Sequence, residues 1–188
     1  MSGYLGIDES NNGGTLEFHV GVHSTDIRDI VPSSSLSKKK NGGIPAALGG
    51  RDFKYVLVDR SQHPSLKSEE RRAVVISQLI MAFDDIDGLE GVLIDGFFSD
   101  GGIRTVEGIL QHHGNKVPAL VAVPNADTVY RIVNVADHVA RLLYHRHLET
   151  NGSKDGPAYP AKLIVPDVRM YEGLVKRLAA PQAMPLAD

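Results

Sequence analysis

Clean alternation at the front of the chain gives the first structural signal. Leu16, Phe18, Val20 and Val22 fall on one face and Glu17, His19, Gly21 and His23 on the other, the pattern of a half-buried antiparallel strand. Asn11-Asn12-Gly13-Gly14 precedes it, a turn signal because Asn and Gly accept positive φ. The apolar run Tyr4–Ile7 before that turn predicts a first strand, making a hairpin with Asp8 and Glu9 near its turn end. Phe53 to Val58 reads as a third strand. The pattern then changes period. Val74, Val75, Leu79 and Phe83, widened by Ile76 and Ile80, line one face of a helix, capped by Ser65 or Ser68 with Arg71 and Arg72 toward solvent. Val92-Leu93-Ile94 is apolar on both faces, as an interior strand should be, and ends in Asp95. A helix over Ile103–His112, closed by Gly114, and a buried strand over Val117–Val123 follow. Thr128 to about His147 carries the strongest helical spacing, in Val129, Ile132, Val133, Ala136, Val139, Ala140 and Leu143, with Asp127 or Thr128 as its N-cap. A last amphipathic stretch spans Met170–Leu178.

The stretches between are less regular. Residues 30–50 hold Pro32-Ser33-Ser34-Ser35-Leu36-Ser37-Lys38-Lys39-Lys40-Asn41-Gly42-Gly43, readable as a solvated linker or as a basic loop that grips phosphate. Asp84-Asp85-Ile86-Asp87-Gly88 lacks the ligand spacing of a calcium loop and reads as a helix end. His112-His113 point apart on a helix, which favours a solvated end over a metal site. No internal repeat divides the chain. One domain over residues 1–180 and a frayed tail over 181–188 are expected.

Composition narrows the chemistry. There are 188 residues and no cysteine, so any metal must take oxygen or imidazole ligands, which suits a hard ion such as Mg²⁺ or Mn²⁺. No apolar run reaches a membrane span and acids begin at Asp8, so a cytoplasmic protein is expected. The net charge of −3 and pI near 6.2 leave any nucleic-acid contact to a local basic patch.

The acids are the candidate chemistry. Asp8-Glu9, Asp95 and Asp127 each terminate or follow a strand. In a sheet with helices packed on it, neighbouring strand ends share one edge, so Asp8, Glu9, Asp95 and Asp127 can converge. Gathered carboxylates need cations, and two divalent ions about 4 Å apart suit in-line phosphoryl chemistry. The blander readings are a solvated pair opening a hairpin for Asp8-Glu9 and an ordinary helix cap for Asp127.

The ordered set resembles the ribonuclease H-like superfamily, and within it the type 2 ribonucleases H. Gly6-Ile7-Asp8-Glu9 matches the family's first-strand motif, and Val92-Leu93-Ile94-Asp95-Gly96 its third-acid strand. Ala126-Asp127 matches the fourth acid, and Val135-Ala136-Asp137-His138-Val139-Ala140-Arg141 stands where the family has Ala-Ala-Ser-Ile-x-Ala-Lys. Leu36-Ser37-Lys38-Lys39 is similar to its Asp-Ser-Lys segment, and Ala158-Tyr159-Pro160 echoes its Gly-Tyr-Pro. The likeness spans residues 4–160. The family's Gly-Arg-Gly, which senses a 2′-hydroxyl, is replaced by Ser10-Asn11-Asn12-Gly13-Gly14.

The resemblance implies an α/β fold: a mixed sheet with three antiparallel strands followed by parallel ones, flanked by helices. It implies a two-metal nuclease holding Mg²⁺ or Mn²⁺ on Asp8, Glu9, Asp95 and Asp127, acting on an RNA/DNA hybrid or structured nucleic acid. Lys38, Asn11 and Tyr159 would contact substrate. Two other readings stand beside it: a non-catalytic nucleic-acid- or protein-binding module on this scaffold, and a phosphoacceptor receiver domain. Against the receiver domain, the first strand leads into a hairpin rather than a helix, and no Lys ends the Val117–Val123 strand.

Overall fold

The computed structural model describes residues 3–10, 15–33, 36, 42–62, 65–83, 86–149 and 159–179. Asn11, Lys38, the Asn11–Gly14 turn and the 181–188 tail lie outside the described residues. The fold is a six-stranded mixed sheet with helices on both faces. Its strands are β1 (Gly3–Ser10), β2 (Leu16–Ser24), β3 (Asp52–Asp59), β4 (Leu89–Asp95), β5 (Ala119–Val123) and β6 (Leu163–Ile164). Its helices are α1 (Ile44–Leu48), α2 (Ser68–Met81), α3 (Asp100–His112), α4 (Arg131–Glu149) and α5 (Val168–Ala179). Strand order across the sheet is β5-β4-β1-β2-β3-β6. The β1–β2 and β2–β3 pairs are antiparallel, and β4, β5 and β6 join in parallel. This is the mixed sheet expected from the sequence, with α1 and the two-residue β6 added at positions where no periodicity marks them.

Side-chain parity sorts the core into two halves. Leu5 and Ile7 of β1, with Val92 and Ile94 of β4, pack under α2, against Val75, Ile76 and Leu79. Phe18, Val20 and Val22 of β2 pack under α4, against Ile132, Val133, Ala136, Val139 and Ala140. Most of the apolar stripe expected on the long helix is therefore its buried face, while Val129 falls in the preceding turn. Gly6 explains how closely α4 approaches the sheet. A Cβ there would lie 2.8 Å from the Ile132 carbonyl carbon and 2.9 Å from its oxygen, backbone atoms that cannot swing aside.

Several expectations change once both faces are covered. β2 is buried on both sides, because α2 lies over the face that carries Glu17 and His19, which are 6% and 2% exposed. Arg71 and Arg72 do not face solvent: Arg71 is buried and Arg72 is half-buried beneath the same layer. α2 begins after Lys67, whose N–H donates to Glu70 Oε2 at 2.9 Å, so neither Ser65 nor Ser68 is the cap. α3 starts earlier than expected, on Ser99, whose hydroxyl accepts from Gly102 N–H. β5 is an edge strand rather than a buried one, with Val121 exposed. His113 Nε2 meets the Tyr171 hydroxyl at 2.8 Å, a packing contact between α3 and α5. No described helix is long and apolar enough to cross a membrane.

Candidate active site at the carboxyl ends of β1 and β4

β1 and β4 run side by side in parallel, with Ile7 opposite Ile94. The next residues are Asp8 and Asp95, so their carboxyl groups leave neighbouring strands at the same level and on the same face. Adjacent strands lie about 4.8 Å apart. Asp127 joins them from the turn after β5: its backbone N–H donates to Asp95 Oδ1 at 3.3 Å. That turn is a short 3₁₀ segment, Ala126–Thr128, entered through Asn125 at φ 58°. Asp127 is buried and precedes α4 by several residues, so it is not the helix cap. Asn134 of α4 donates its side-chain N–H to the Asp127 carbonyl at 2.8 Å, tying the turn to the helix.

Burial and repulsion from neighbouring acids dominate the electrostatics of Asp8 and Asp95. Burial, the nearby Asp95 and, more weakly, Asp137 and Asp127 push the Asp8 carboxyl up to about 8, against one favourable bond from Glu9 N–H at 2.6 Å. Burial also raises Asp95, and Asp127 adds repulsion, while backbone N–H groups of Asp127, Ala126 and Gly96 oppose the shift. Folding places these acids where their charged forms are poorly solvated. Such a cluster, in a fold that could have used neutral residues there, points to a site where a cation belongs. Asp137 on α4 is the member that motif matching leaves out of the acid set. Its position in the Val135–Arg141 segment, on the helix that covers Asp8, is the signal that could have found it.

Glu9 goes elsewhere. Expecting four carboxylates at one point assumes a strand that stops at Ile7, but β1 continues through Ser10. Alternation then sends Asp8 toward α4 and Glu9 toward α2. There Glu9 Oε2 lies 3.4 Å from Arg72 Nε and 3.4 Å from His19 Nδ1. His19 in turn reaches Glu17 at 3.4 Å, and Glu17 also pairs with Arg60 and, at 3.8 Å, with Arg71. Burial works against the Glu17 charge, but His19 and Arg60 outweigh it and hold the carboxyl near 2. Glu9, Glu17, His19, Arg60, Arg71 and Arg72 thus form a polar layer behind the acid cluster, buried at Glu17, His19 and Arg71 and open to solvent at Arg60. Alternation shows that Glu17 and His19 share a face; it does not show what covers that face.

Arg72 links the two sides. It donates to the carbonyls of Asp95 and Phe97, the latter at 2.7 Å, and its guanidinium stands 5.3 Å from the centre of the Phe98 ring. The end of β4 is therefore fixed from behind. Gly96, at φ +82°, makes the turn that lets this happen, a conformation costly for other residues.

The expected substrate contacts are placed unevenly. Tyr159 packs edge-on to Phe53, with ring centres 5.7 Å apart, and carries Arg146 over its face. Phe53 stands level with Gly6 and two strands away from β1, so Tyr159 is packed beside β3 rather than at the acids. Asn11 and Lys38 are outside the described residues, but the segment leading to Lys38 is anchored beside Asp127. Ser33 N–H donates to Val129 O and Leu36 N–H to Thr128 O, both at 3.0 Å.

Among the described residues, no three or more His, Asp or Glu side chains already stand as a metal cage. The donors nonetheless fit Mg²⁺ or Mn²⁺. They are all oxygen, and Mg²⁺ commonly takes only one or two carboxylates, completing its shell with water and substrate oxygens. The raised Asp8 carboxyl is the observation that an ion would relieve.

Comparison with models of protein families and with curated proteins gives no match. Solved structures do match. The ribonuclease HII of Archaeoglobus fulgidus, solved in complex with PCNA, is similar over 97% of this chain and 91% of that one, at 18% identity and a TM-score of 0.57. The ribonuclease H2 of Pyrococcus horikoshii is similar over 97% and 90%, at 18% identity and a TM-score of 0.56. A mutant of Bst-RNase HIII matches over 79% and 53%, at 16% identity and a TM-score of 0.54. At such identities the likeness is one of architecture. The chain has the ribonuclease H-like fold, in the form seen in type 2 ribonuclease H structures.

Proposed function

We propose that this protein is a divalent-metal-dependent nuclease that hydrolyses phosphodiester bonds in RNA-containing or structured nucleic acid. One observation carries the proposal: Asp8, buried and raised to about 8 by its surroundings, sits level with Asp95 on adjacent parallel strands, with Asp127 alongside. The shared architecture with type 2 ribonucleases H supports it. Asp8, Asp95 and Asp127 would hold Mg²⁺ or Mn²⁺. When bound, two such ions supply an activated water and stabilise the leaving oxygen of an in-line displacement. The protein's own part is to hold the ligating carboxyls rigid. Arg72 fixes the end of β4, the Asp127 N–H orients the Asp95 carboxyl, and Asn134 fixes the turn that carries Asp127. Glu9 would complete the set only by leaving Arg72 and His19.

The test is cleavage of a panel comprising an RNA/DNA hybrid, duplex DNA with one embedded ribonucleotide, a bulged RNA hairpin and duplex DNA. It is run with Mg²⁺, Mn²⁺ or EDTA. Metal-dependent cutting that disappears in Asp95→Asn is expected. No cutting of any substrate by the wild-type protein would defeat the proposal. The engagement of Glu9 with Arg72 and His19 favours the second reading, a binding module without catalysis. That reading expects nucleic-acid or protein binding that persists in EDTA, with no cleavage.

A further inference from the structure

Phe97 is a residue that the fold leaves unexplained. Its side chain is 79% exposed, whereas its neighbour Phe98 is buried. Leaving a phenylalanine in water forgoes the free energy its burial would supply. Slack in the chain does not account for it, because the segment around Phe97 is fixed. Gly96 N–H donates to Val123 O at 3.1 Å, and Arg72 holds the Asp95 and Phe97 carbonyls. Ser99 N–H donates to Glu69 Oε1 at 2.7 Å, and the Ser99 hydroxyl caps α3. The backbone is pinned on both sides of a ring that is held out in solvent. Two residues of chain span at most about 7 Å, so the Phe97 backbone leaves the sheet within that distance of Asp95, a member of the acid cluster.

We propose that Phe97 is a stacking platform for an unpaired base next to the phosphate that is cut. The proposal rests on the nuclease reading and narrows its substrate class. A base inside a duplex already has both faces stacked, so a protruding aromatic ring is useful where a nucleotide is bulged, looped or at a single-strand junction. The ring's rigid mounting suits this, since little conformational freedom remains to be lost on binding.

The chain contains no tryptophan, so Phe97→Trp installs a sole fluorescent reporter at the proposed contact. Binding is measured by fluorescence anisotropy, with Ca²⁺ replacing Mg²⁺, on a blunt two-strand duplex carrying one bulged nucleotide and on the same duplex fully paired. Phe97→Ala should weaken binding to the bulged duplex about 5- to 150-fold, the range for one stacked base, and leave the fully paired duplex unchanged. Phe97→Leu should behave like Ala, and Phe97→Trp should bind as wild type with its emission quenched by the bulged duplex. Making the bulged nucleotide abasic should erase the difference between wild type and Phe97→Ala.

Equal binding by wild type and Phe97→Ala, full rescue by Leu, or unchanged Trp emission at saturation each overturns the stacking role. If the wild type still cleaves the panel, the nuclease reading survives that result. If the wild type neither binds nor cleaves any substrate, both fall. A wild-type dimer that Phe97→Ala dissolves would show that the ring serves self-association, and would also overturn the proposal.

Discussion

Asp8→Asn should stabilise the metal-free protein while abolishing its cleavage. In the folded chain the Asp8 carboxyl keeps its proton to about pH 8, whereas its ordinary value is 3.8. Between these values the folded state binds more protons than the unfolded one, so stability falls as pH rises from about 4 to about 8. A shift of roughly 4 units corresponds to about 5 kcal/mol at alkaline pH. The side chain is 7% exposed, so solvent screening does little to reduce that figure. The asparagine keeps an oxygen for the Glu9 N–H bond and has no charge to desolvate. In EDTA, thermal melts at pH 4 should place the two proteins close together. At pH 8.5 the variant should melt higher by on the order of 10 °C, taking about 2–4 °C per kcal/mol for a chain of this size. Excess Mn²⁺ should raise the wild-type melting temperature at pH 8.5 more than the variant's, because the variant lacks one of the proposed ligating carboxylates and the buried charge the ion would offset. Calorimetry in buffers of different ionisation heat should show proton release when Mn²⁺ binds near pH 7. A wild-type melting temperature that does not fall between pH 5 and pH 8.5 in EDTA would refute the reasoning. So would a variant that gains nothing at pH 8.5.

Other outcomes are expected from the surrounding structure. Glu17→Gln removes the anion that pairs with the buried Arg71 and the part-exposed Arg60 and should cost about 3 kcal/mol in urea unfolding, since it leaves Arg71 buried without that partner. Because the Glu17 carboxyl is held near 2, the wild type's advantage over this variant should be full above about pH 4.5 and fade toward pH 2. Gly6→Val should destabilise by about 3 kcal/mol or prevent folding, because the new Cβ meets the Ile132 backbone; circular dichroism melts report it. Arg72→Ala should leave the melting temperature within a few degrees but weaken Mn²⁺ affinity about 10-fold by calorimetry, as expected for loss of a partner that orients a ligating residue. Arg72→Lys, which keeps the charge but loses the two-carbonyl fork, should recover little.

Much of the sheet can be read along the chain because its signals are local. The alternation of Leu16–Val22, the apolar run Val92–Ile94 and the spacing of Ile132–Leu143 each mark one element and its buried face. The acids at Asp8, Asp95 and Asp127 stand at strand ends in the sequence and at one edge of the sheet in the structure. The two-residue β6 escapes notice because it is too short to show a period, and α1 because five residues in a basic, Gly-rich stretch carry little pattern.

The longer elements and the order of the acids are legible along the chain alone. Local propensity and hydrophobic period depend on neighbours within a few residues. Which side of the sheet each acid serves follows instead from long-range packing. Asp8 and Glu9 are adjacent in the chain, yet one joins Asp95 and Asp127 under α4 and the other pairs with Arg72 and His19 under α2. That division depends on how far β1 runs and on the layers packed above and below it. Those are set by contacts between residues far apart in the chain, and no local period records them.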